Sequence, residues 1–180
     1  LPESQIIGYP EPLVQQADRH PSDYVAGWMR EAGHATARIG YESDCYYFSP
    51  RSLHALQAGL PDAKWVDADL LINWVRAIKS DAELAMMYQA AKIADLAMQT
   101  AWDGAKVGVR QCDLMADITA AQIKGTAEFG GDMPALHPLI LAGEAATAAH
   151  PMWTDATLEA GQTIAFELGA CRKRYNVGLA

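Results

Sequence analysis

One short apolar stretch, Thr163–Gly169, constrains the fold of this chain most strongly. Four of its seven residues, Ile164, Ala165, Phe166 and Leu168, are apolar, and turn-forming residues lie on both sides. This pattern is typical of a buried β-strand. A single carboxylate, Glu167, stands inside the run. Because an unpaired carboxylate is costly to bury, we expect Glu167 to have either a partner or a chemical role.

A potential base and a group of cations lie close to Glu167 in the sequence. His150 precedes it, beyond a turn at Gly161, and the run Arg172–Arg174 follows it. An acid, a base and a cationic rim around one strand are the components of a catalytic site. Two simpler interpretations stay open, because a lone Glu in a strand commonly faces solvent and a cationic run is commonly a solvated turn.

The composition indicates a globular protein with one ordinary domain or two small ones. The 180 residues are 51% hydrophobic and 20% charged, and the net charge is −8. This negative charge argues against a nucleic-acid partner or an acidic membrane partner. Three widely spaced cysteines without a CxxC pair suit a reducing compartment, so we expect free thiols and a cytoplasmic location.

The first part of the chain alternates between strand and helix patterns. Strands are predicted at Gln5–Tyr9, Arg38–Glu42 and Lys64–Asp67, and helices are predicted to begin at Pro21 and at Ser49–Pro50. Such alternation predicts a parallel α/β layer.

The pattern changes near Ser80. A capping-box sequence at Ser80–Glu83 opens a long helix that we expect to close around Gly104. A second helix is predicted over Asp113–Phe129, and a strand over His137–Ala142. Helices followed by antiparallel strands form an α+β pattern. Because the chain begins without Met and stops just after a hairpin, we expect it to be a segment of a longer protein.

Several motifs resemble the creatinase/aminopeptidase P/prolidase superfamily, whose catalytic domain has the pita-bread fold. Trp74–Leu84 is similar to the linker and first catalytic helix of that family. Landmarks similar to its active-site region follow in order: Gly143, His150, Gly161, Glu167, Gly169 and Tyr175. The resemblance implies that residues 1–79 are the C-terminal portion of an incomplete creatinase-type α/β domain with its linker. Residues 80–180 would be the N-terminal portion, the first half, of an α+β pita-bread catalytic domain.

The resemblance also implies a chemistry without metal. In the metallopeptidases of this superfamily the strand carries one metal-binding aspartate, and a second follows eleven positions later. Glu167 and Gly178 stand at those positions here. A dinuclear site needs several oxygen ligands that converge on two ions. We therefore expect no metal and no other cofactor.

Within the metal-free branch, four short motifs resemble the ectoine hydrolase family: Ile6–Pro10, Tyr46–Ser49, Phe129–Asp132 and Lys173–Tyr175. This likeness implies hydrolysis of a cyclic amidine that bears a carboxylate. Glu167 would hold or attack the planar, cationic amidinium. His150 would move protons near neutral pH.

The same likeness supplies candidates for substrate binding. Arg172 or Arg174 would hold the substrate carboxylate. The other candidates are Tyr175, Asp132, Phe129, Tyr46 and Tyr47. Structural alternatives stay open for them, because Phe129–Asp132 also fits a helix end followed by a loop, and the Tyr46–Tyr47 pair also fits a core or sheet edge.

The family habit of sharing sites between subunits implies a homodimer, in which the N-terminal domain of one copy closes over the site of the other. The expected partners are thus a small-molecule substrate and a second copy, without nucleic acid or membrane. Two competing functions remain at this stage. One is a metal-dependent Xaa-Pro peptidase whose lost ligand is replaced from elsewhere. The other is a non-catalytic homologue that serves as a binding module. Residues 1–180 alone are expected to be inactive.

Overall fold

The computed structural model describes residues 2–180, and these divide into two units. The first unit extends to Ile78, and the second spans Lys79–Ala180. Each unit has a hydrophobic core of its own. Among the described residues, no helix combines the length and the apolar character needed to cross a bilayer.

The first unit is a small parallel α/β layer, as the alternating pattern predicts. Its elements in chain order are α1 (Pro21–Glu31), β1 (Arg38–Tyr41), α2 (Pro50–Gly59), β2 (Lys64–Asp67) and α3 (Leu71–Ala77). Strands β1 and β2 pair in parallel, and their first residues, Arg38 and Lys64, lie opposite each other. Because a parallel pair needs a crossover connection, α2 lies between the two strands in the chain.

Local capping explains where the helices of this unit begin. The backbone N–H of His20 donates to Asp23 Oδ2 at 2.7 Å at the start of α1. The Ser49 hydroxyl accepts a hydrogen bond from the Ser52 N–H at 3.1 Å at the start of α2. Each contact satisfies a backbone or side-chain group that the first helical turn leaves unpaired. Helices α1 and α2 pack around a core centred on Ala26, Leu56 and Leu60.

The predicted strand at Gln5–Tyr9 is wrong. Glu3–Gln5 forms a short 3₁₀ turn, and residues 6–9 belong to no strand. Ile6 and Ile7 stay 65% and 56% exposed. Strand-forming side chains are not sufficient, because a strand also requires a neighbouring edge for its backbone hydrogen bonds.

The second unit contains two helices and an antiparallel sheet, as predicted. Helix α4 spans Asp81–Gly104 and α5 spans Gln111–Lys124. The strands are β3 (Leu139–Ala142), β4 (Ile164–Arg172) and β5 (Tyr175–Leu179), in the spatial order β3-β4-β5. Pairing is antiparallel on both sides of β4.

Several predicted boundaries in this unit are wrong. Helix α5 begins at Gln111 rather than Asp113, and strand β4 spans Ile164–Arg172 rather than Thr163–Gly169. Helix α5 ends at Lys124 rather than Phe129, because Gly125 takes a φ of +64° that stops the helix. Strand β3 begins at Leu139 rather than His137, after Pro138, which has no backbone N–H to donate. The predicted capping box at Ser80 and Glu83 is confirmed, with both reciprocal contacts present.

The two faces of β4 have different surroundings. The even-numbered residues Leu168 and Ala170 are fully buried within the two core clusters that include residues of α4. Ala90, Ala94, Ala97 and Ala101 recur along one side of that helix and are almost completely buried. These small side chains allow the helix to lie close to the sheet. The odd-numbered residues of β4, including Glu167, therefore point to the opposite face.

Candidate active site

Glu167 and His150 meet on the face of the sheet opposite the helices. His150 Nε2 lies 3.4 Å from Glu167 Oε2. The segment between them contains a turn at Gly161, whose φ is +84°. This turn reverses the chain, so that two residues seventeen positions apart come into contact. The acid and the base that the sequence singled out are thus adjacent in space.

The backbone of His150 adopts an unusual conformation. Its φ is +55°, in the left-handed region that costs a residue with a Cβ about 1–2 kcal/mol. The residue also precedes Pro151, a position that normally favours extended backbone. Strained residues of this kind concentrate at functional sites, so the observation supports a chemical role for His150.

The expectation that Glu167 is buried is wrong. Its side chain is 39% exposed, and that of His150 is 67% exposed. The apolar neighbours of Glu167 in the sequence occupy the helix-facing side of β4, whereas Glu167 occupies the open side. Both side chains are consequently accessible to water and to a small ligand.

Gly178 lies on the same face of the sheet as Glu167. It pairs directly with Gly169, and paired residues of an antiparallel ladder share a face. A Cβ built at Gly178 would meet no atom within 4 Å. A carboxylate at this position would therefore project freely beside Glu167, but glycine offers no ligand. Among residues 2–180, no group of three or more His, Cys, Asp or Glu side chains could hold a metal ion. The described donor set does not fit a dinuclear metal centre.

The cationic run Arg172–Arg174 divides into two parts with different surroundings. Lys173 and Arg174 form a tight exposed turn with φ values of 50° and 70°, so the simple interpretation as a turn is confirmed for them. Arg172 belongs to the strand and faces α4. Its Nε donates to Gln89 Oε1 at 3.0 Å, and its guanidinium carbon lies 5.2 Å from the centre of the Phe129 ring.

Arg172 is not brought to Glu167. Five positions along a strand correspond to about 17 Å, and the two residues point to opposite faces. The Arg172 guanidinium also donates a hydrogen bond from Nη1 to the Gly130 carbonyl at 3.2 Å. The structure therefore places the Arg172 cation within a structural network on the helix side of the sheet.

The loop over Phe129–Asp132 is held close to the end of α5. A Cβ on Gly131 would collide with the backbone carbonyl of Gln122, so only glycine fits there. This close approach is to the helix, rather than to a ligand. Asp132 then bridges to β4, because its N–H donates to the Cys171 carbonyl at 2.9 Å and its Oδ2 accepts from the Arg174 N–H at 3.3 Å.

Tyr175 extends this network to the start of α4. Its hydroxyl donates to Glu83 Oε1 at 3.1 Å. The pKa of Glu83 is lowered, first by the Ser80 backbone N–H, then by the Ser80 hydroxyl and by Tyr175. The hairpin end of β4, away from Glu167, thus holds four of the candidate residues in structural contacts: Phe129, Asp132, Arg172 and Tyr175.

The remaining candidates, Tyr46 and Tyr47, lie in the first unit. Their side chains are 98% and 97% exposed, so the interpretation as core aromatics is wrong. They line a surface cavity of about 470 Å³ together with Asn73 and Arg76.

In the described structure Cys45, Cys112 and Cys171 are free thiols, and burial raises the pKa of Cys171.

One residue near the site escaped the sequence-based reasoning. Gln122 of α5 is only 2% exposed, and its Nε2 donates to the carbonyl of Gly169, two residues from Glu167. A signal for it existed in the sequence. Leu114 and Ile118 form an apolar stripe with a four-residue repeat, and Gln122 is the next member of that series.

Comparisons with known proteins place both units in one family. The model for metallopeptidase family M24 matches residues 85–179, and the model for the creatinase/prolidase N-terminal domain matches residues 2–78. The chain belongs to family M24. Its N-terminal unit is a creatinase-type α/β domain, and its C-terminal unit corresponds to part of a pita-bread domain.

Relatives with curated names include both uncharacterised and characterised proteins. An uncharacterised hydrolase/peptidase of Sinorhizobium fredii is 38% identical over 100% of this M24 chain and 46% of its own length. The ectoine hydrolase of Halomonas elongata is 34% identical over 97% of the chain and 45% of its own length. The chain thus spans less than half of the length of these relatives.

Solved structures confirm the fold. A Xaa-Pro dipeptidase from Bacillus anthracis superimposes with a TM-score of 0.74 at 23% identity, over 91% of this chain and 43% of the other. The prolidase of Pyrococcus furiosus gives a TM-score of 0.72 at 22% identity, over 87% and 46% of the two chains. These likenesses show the fold alone.

Proposed function

We propose that the full-length protein is a metal-independent hydrolase that opens a C–N bond in a small cyclic amidine such as ectoine. The contact between Glu167 and His150, beside a glycine on the same face, carries this proposal. It supplies an acid and a base, but it lacks the second carboxylate that a dinuclear metal requires. The relative named ectoine hydrolase, 34% identical, supports this choice of substrate class.

The charge of the pair suits an amidinium. A planar cation can donate two N–H groups to a carboxylate, and such charge-assisted hydrogen bonds are stronger than neutral ones. Glu167 either holds the amidinium while water attacks its carbon, or attacks that carbon itself to form a covalent intermediate. In the covalent route water then attacks the Glu167 carbonyl carbon, so the product takes its new oxygen from Glu167. In both routes the C–N bond breaks, and the departing nitrogen takes a proton.

His150 is the group that moves this proton. An imidazole changes its charge near neutral pH, and its Nε2 is within reach of the Glu167 carboxylate. Two turnovers in ¹⁸O-labelled water distinguish the two routes. Attack by Glu167 places label in its carboxylate, whereas direct attack by water leaves Glu167 unlabelled.

The remaining parts of the proposal concern Arg174, the assembly of the full-length protein and its location. Arg174 is exposed in the turn after β4, at the hairpin end and away from Glu167, so the proposal gives it no part in binding the substrate beside Glu167. The full-length protein would be a homodimer, in which the exposed Tyr46 and Tyr47 contact substrate. Light scattering at micromolar concentration tests the dimer, and a monomer mass would contradict it. The free thiols support a cytoplasmic location.

A metal-dependent Xaa-Pro peptidase is the second candidate. The match to a metallopeptidase family and the likeness to solved Xaa-Pro dipeptidases favour it. It requires ligands from parts of the protein outside residues 1–180.

One assay separates the candidates. Purified full-length protein is dialysed against chelator, analysed for metal, and offered ectoine and a Xaa-Pro dipeptide in turn. We expect ring opening that survives chelation, and no dipeptide cleavage. Two Mn, Co or Zn ions per chain, with chelator-sensitive dipeptide cleavage, would establish the peptidase instead. Inactivity on both substrates would favour a binding module.

A further inference from the structure

One edge of β4 lacks a neighbouring strand at the rung next to the candidate site. Strand β3 pairs with β4 only as far as the Leu139–Glu167 position. Four residues beyond Glu167 along β4, Cys171 forms an isolated β-bridge with Asp132. Gly169 lies between these two points, and residues two apart in a strand present their backbone groups to the same edge. Its carbonyl accepts a hydrogen bond from Gln122 Nε2, so a helix side chain takes the place of the missing strand.

Burying the Gln122 side chain costs free energy, because one of its two polar atoms is left without a hydrogen-bond partner. The Gly169 carbonyl can only accept, so the amide nitrogen must face it. The amide oxygen Oε1 is then buried with no hydrogen-bond partner among the described residues. Such orphaned groups are rare and destabilising. A leucine would continue the apolar stripe of Leu114 and Ile118 without this penalty.

The two strands cannot hold this rung by side-chain packing. Gly169 of β4 pairs with Gly178 of β5, so no side chain from either residue stabilises the register. Glycine also weakens a strand because it keeps more conformational freedom in the unfolded chain. An external restraint on Gly169 therefore acts where no pair of side chains stabilises the pairing of the two strands.

We propose that Gln122 is a positioning residue, which holds β4 at Gly169 and thereby keeps the Glu167 carboxylate against His150. Without its donor, the Gly169 carbonyl would be buried and unsatisfied, and the strand would move to find a partner. A displacement of about 1 Å at reacting groups can cost about a hundredfold in rate. The kinetic part of this inference rests on the proposed function.

Two matched substitutions in the full-length protein test the proposal. Gln122→Met keeps the volume of the side chain and removes the donor. Ile118→Val lies one turn away on the same buried stripe and leaves Gly169 untouched. We expect kcat of Gln122→Met to fall about tenfold or more with KM changed less than about threefold. Ile118→Val should lose stability and keep both constants within about twofold.

A pH profile separates hydrogen bonding from simple packing. In Gln122→Glu, a protonated carboxyl can still donate to the Gly169 carbonyl, whereas the ionised form cannot. The ratio of its kcat to that of the wild type should fall as pH rises. The corresponding ratio for Gln122→Met should stay constant with pH. Two parallel, pH-independent losses would overturn the proposal, as would equal kcat losses in Gln122→Met and Ile118→Val.

Crystal structures of the same variants give a readout that does not depend on substrate. We expect the separation between His150 Nε2 and Glu167 Oε2 to lengthen or become heterogeneous in Gln122→Met and to be unchanged in Ile118→Val. If the wild-type enzyme opens no amidine, the proposed function fails, and this crystallographic comparison alone decides the role of Gln122. An unchanged contact in Gln122→Met would then contradict it.

Discussion

The two ends of β4 differ in how fully their charged groups are bonded. At one end, Glu167 and His150 contact each other, remain open to solvent, and include a strained backbone. At the other end, Arg172 makes two hydrogen bonds and lies against an aromatic ring. In the sequence Glu167 is simply a charged residue inside an apolar run, and Arg172 is a charged residue that follows the run.

This difference distinguishes reactive groups from structural ones. A side chain whose hydrogen-bonding capacity is already used contributes stability and has little left for a ligand. A side chain with one long contact and access to water can exchange that contact for substrate. We therefore assign the chemistry to the Glu167 end and the stability to the hairpin end, and four substitutions test the division.

The largest effect is expected for Glu167→Gln. The change is nearly isosteric and removes both the negative charge and the nucleophile. We expect the barrier to rise by at least ~3 kcal/mol, or roughly a hundredfold in kcat, with little change in the melting temperature. Ring-opening rates and thermal unfolding of the full-length protein measure the two quantities. Near wild-type turnover would remove Glu167 from the mechanism.

Substitution of His150 should change activity and stability in opposite directions. His150→Gly removes the proton carrier and relieves the left-handed strain. Turnover should fall by about a hundredfold, and the free energy of unfolding should rise by ~0.5 kcal/mol. His150→Asn is the matched control, because asparagine tolerates this conformation but carries no proton. If either variant keeps full activity, His150 is structural.

Arg172→Met should show the reverse profile. Methionine keeps the apolar stem but loses the contacts to Gln89, Gly130 and Phe129. We expect a loss of about 2 kcal/mol in the free energy of unfolding, since hydrogen bonds to a charged group and a cation–π contact disappear. Turnover per folded molecule should be unchanged. Denaturant unfolding and kcat provide the measurements, and a raised KM without a loss of stability would assign Arg172 to the substrate instead.

The smallest effect concerns acid sensitivity at the hairpin end. Because the pKa of Glu83 is lowered in the folded state, its contribution to stability is present above its unfolded value of 4.5 and is lost as pH falls through the folded value. Glu83→Gln should therefore be less stable than the wild type at pH 6, and the gap should close towards pH 3. Urea unfolding across this range measures it. A gap that is constant with pH would contradict the assignment.

Much of the fold could be predicted because its signals are local. The capping residues Ser49 and Ser80 mark the first turns of their helices, and an apolar run between turn residues marks β4. The predicted strand at Gln5–Tyr9 failed because strand formation depends on a distant edge. The apolar neighbours of Glu167 suggested burial, yet the open face of the sheet determines its exposure.

The sequence by itself determined where α1, α2 and α4 begin, which part of the chain alternates between strand and helix, and that an acid and a base flank one turn. Each of these depends on residues within a few positions of each other. Only the tertiary structure decided that His150 reaches Glu167, that Arg172 turns away from it, and that Gln122 supports Gly169 from 47 positions away. Such contacts arise when packing brings remote segments together, and local sequence does not specify which remote group fills a given hydrogen bond.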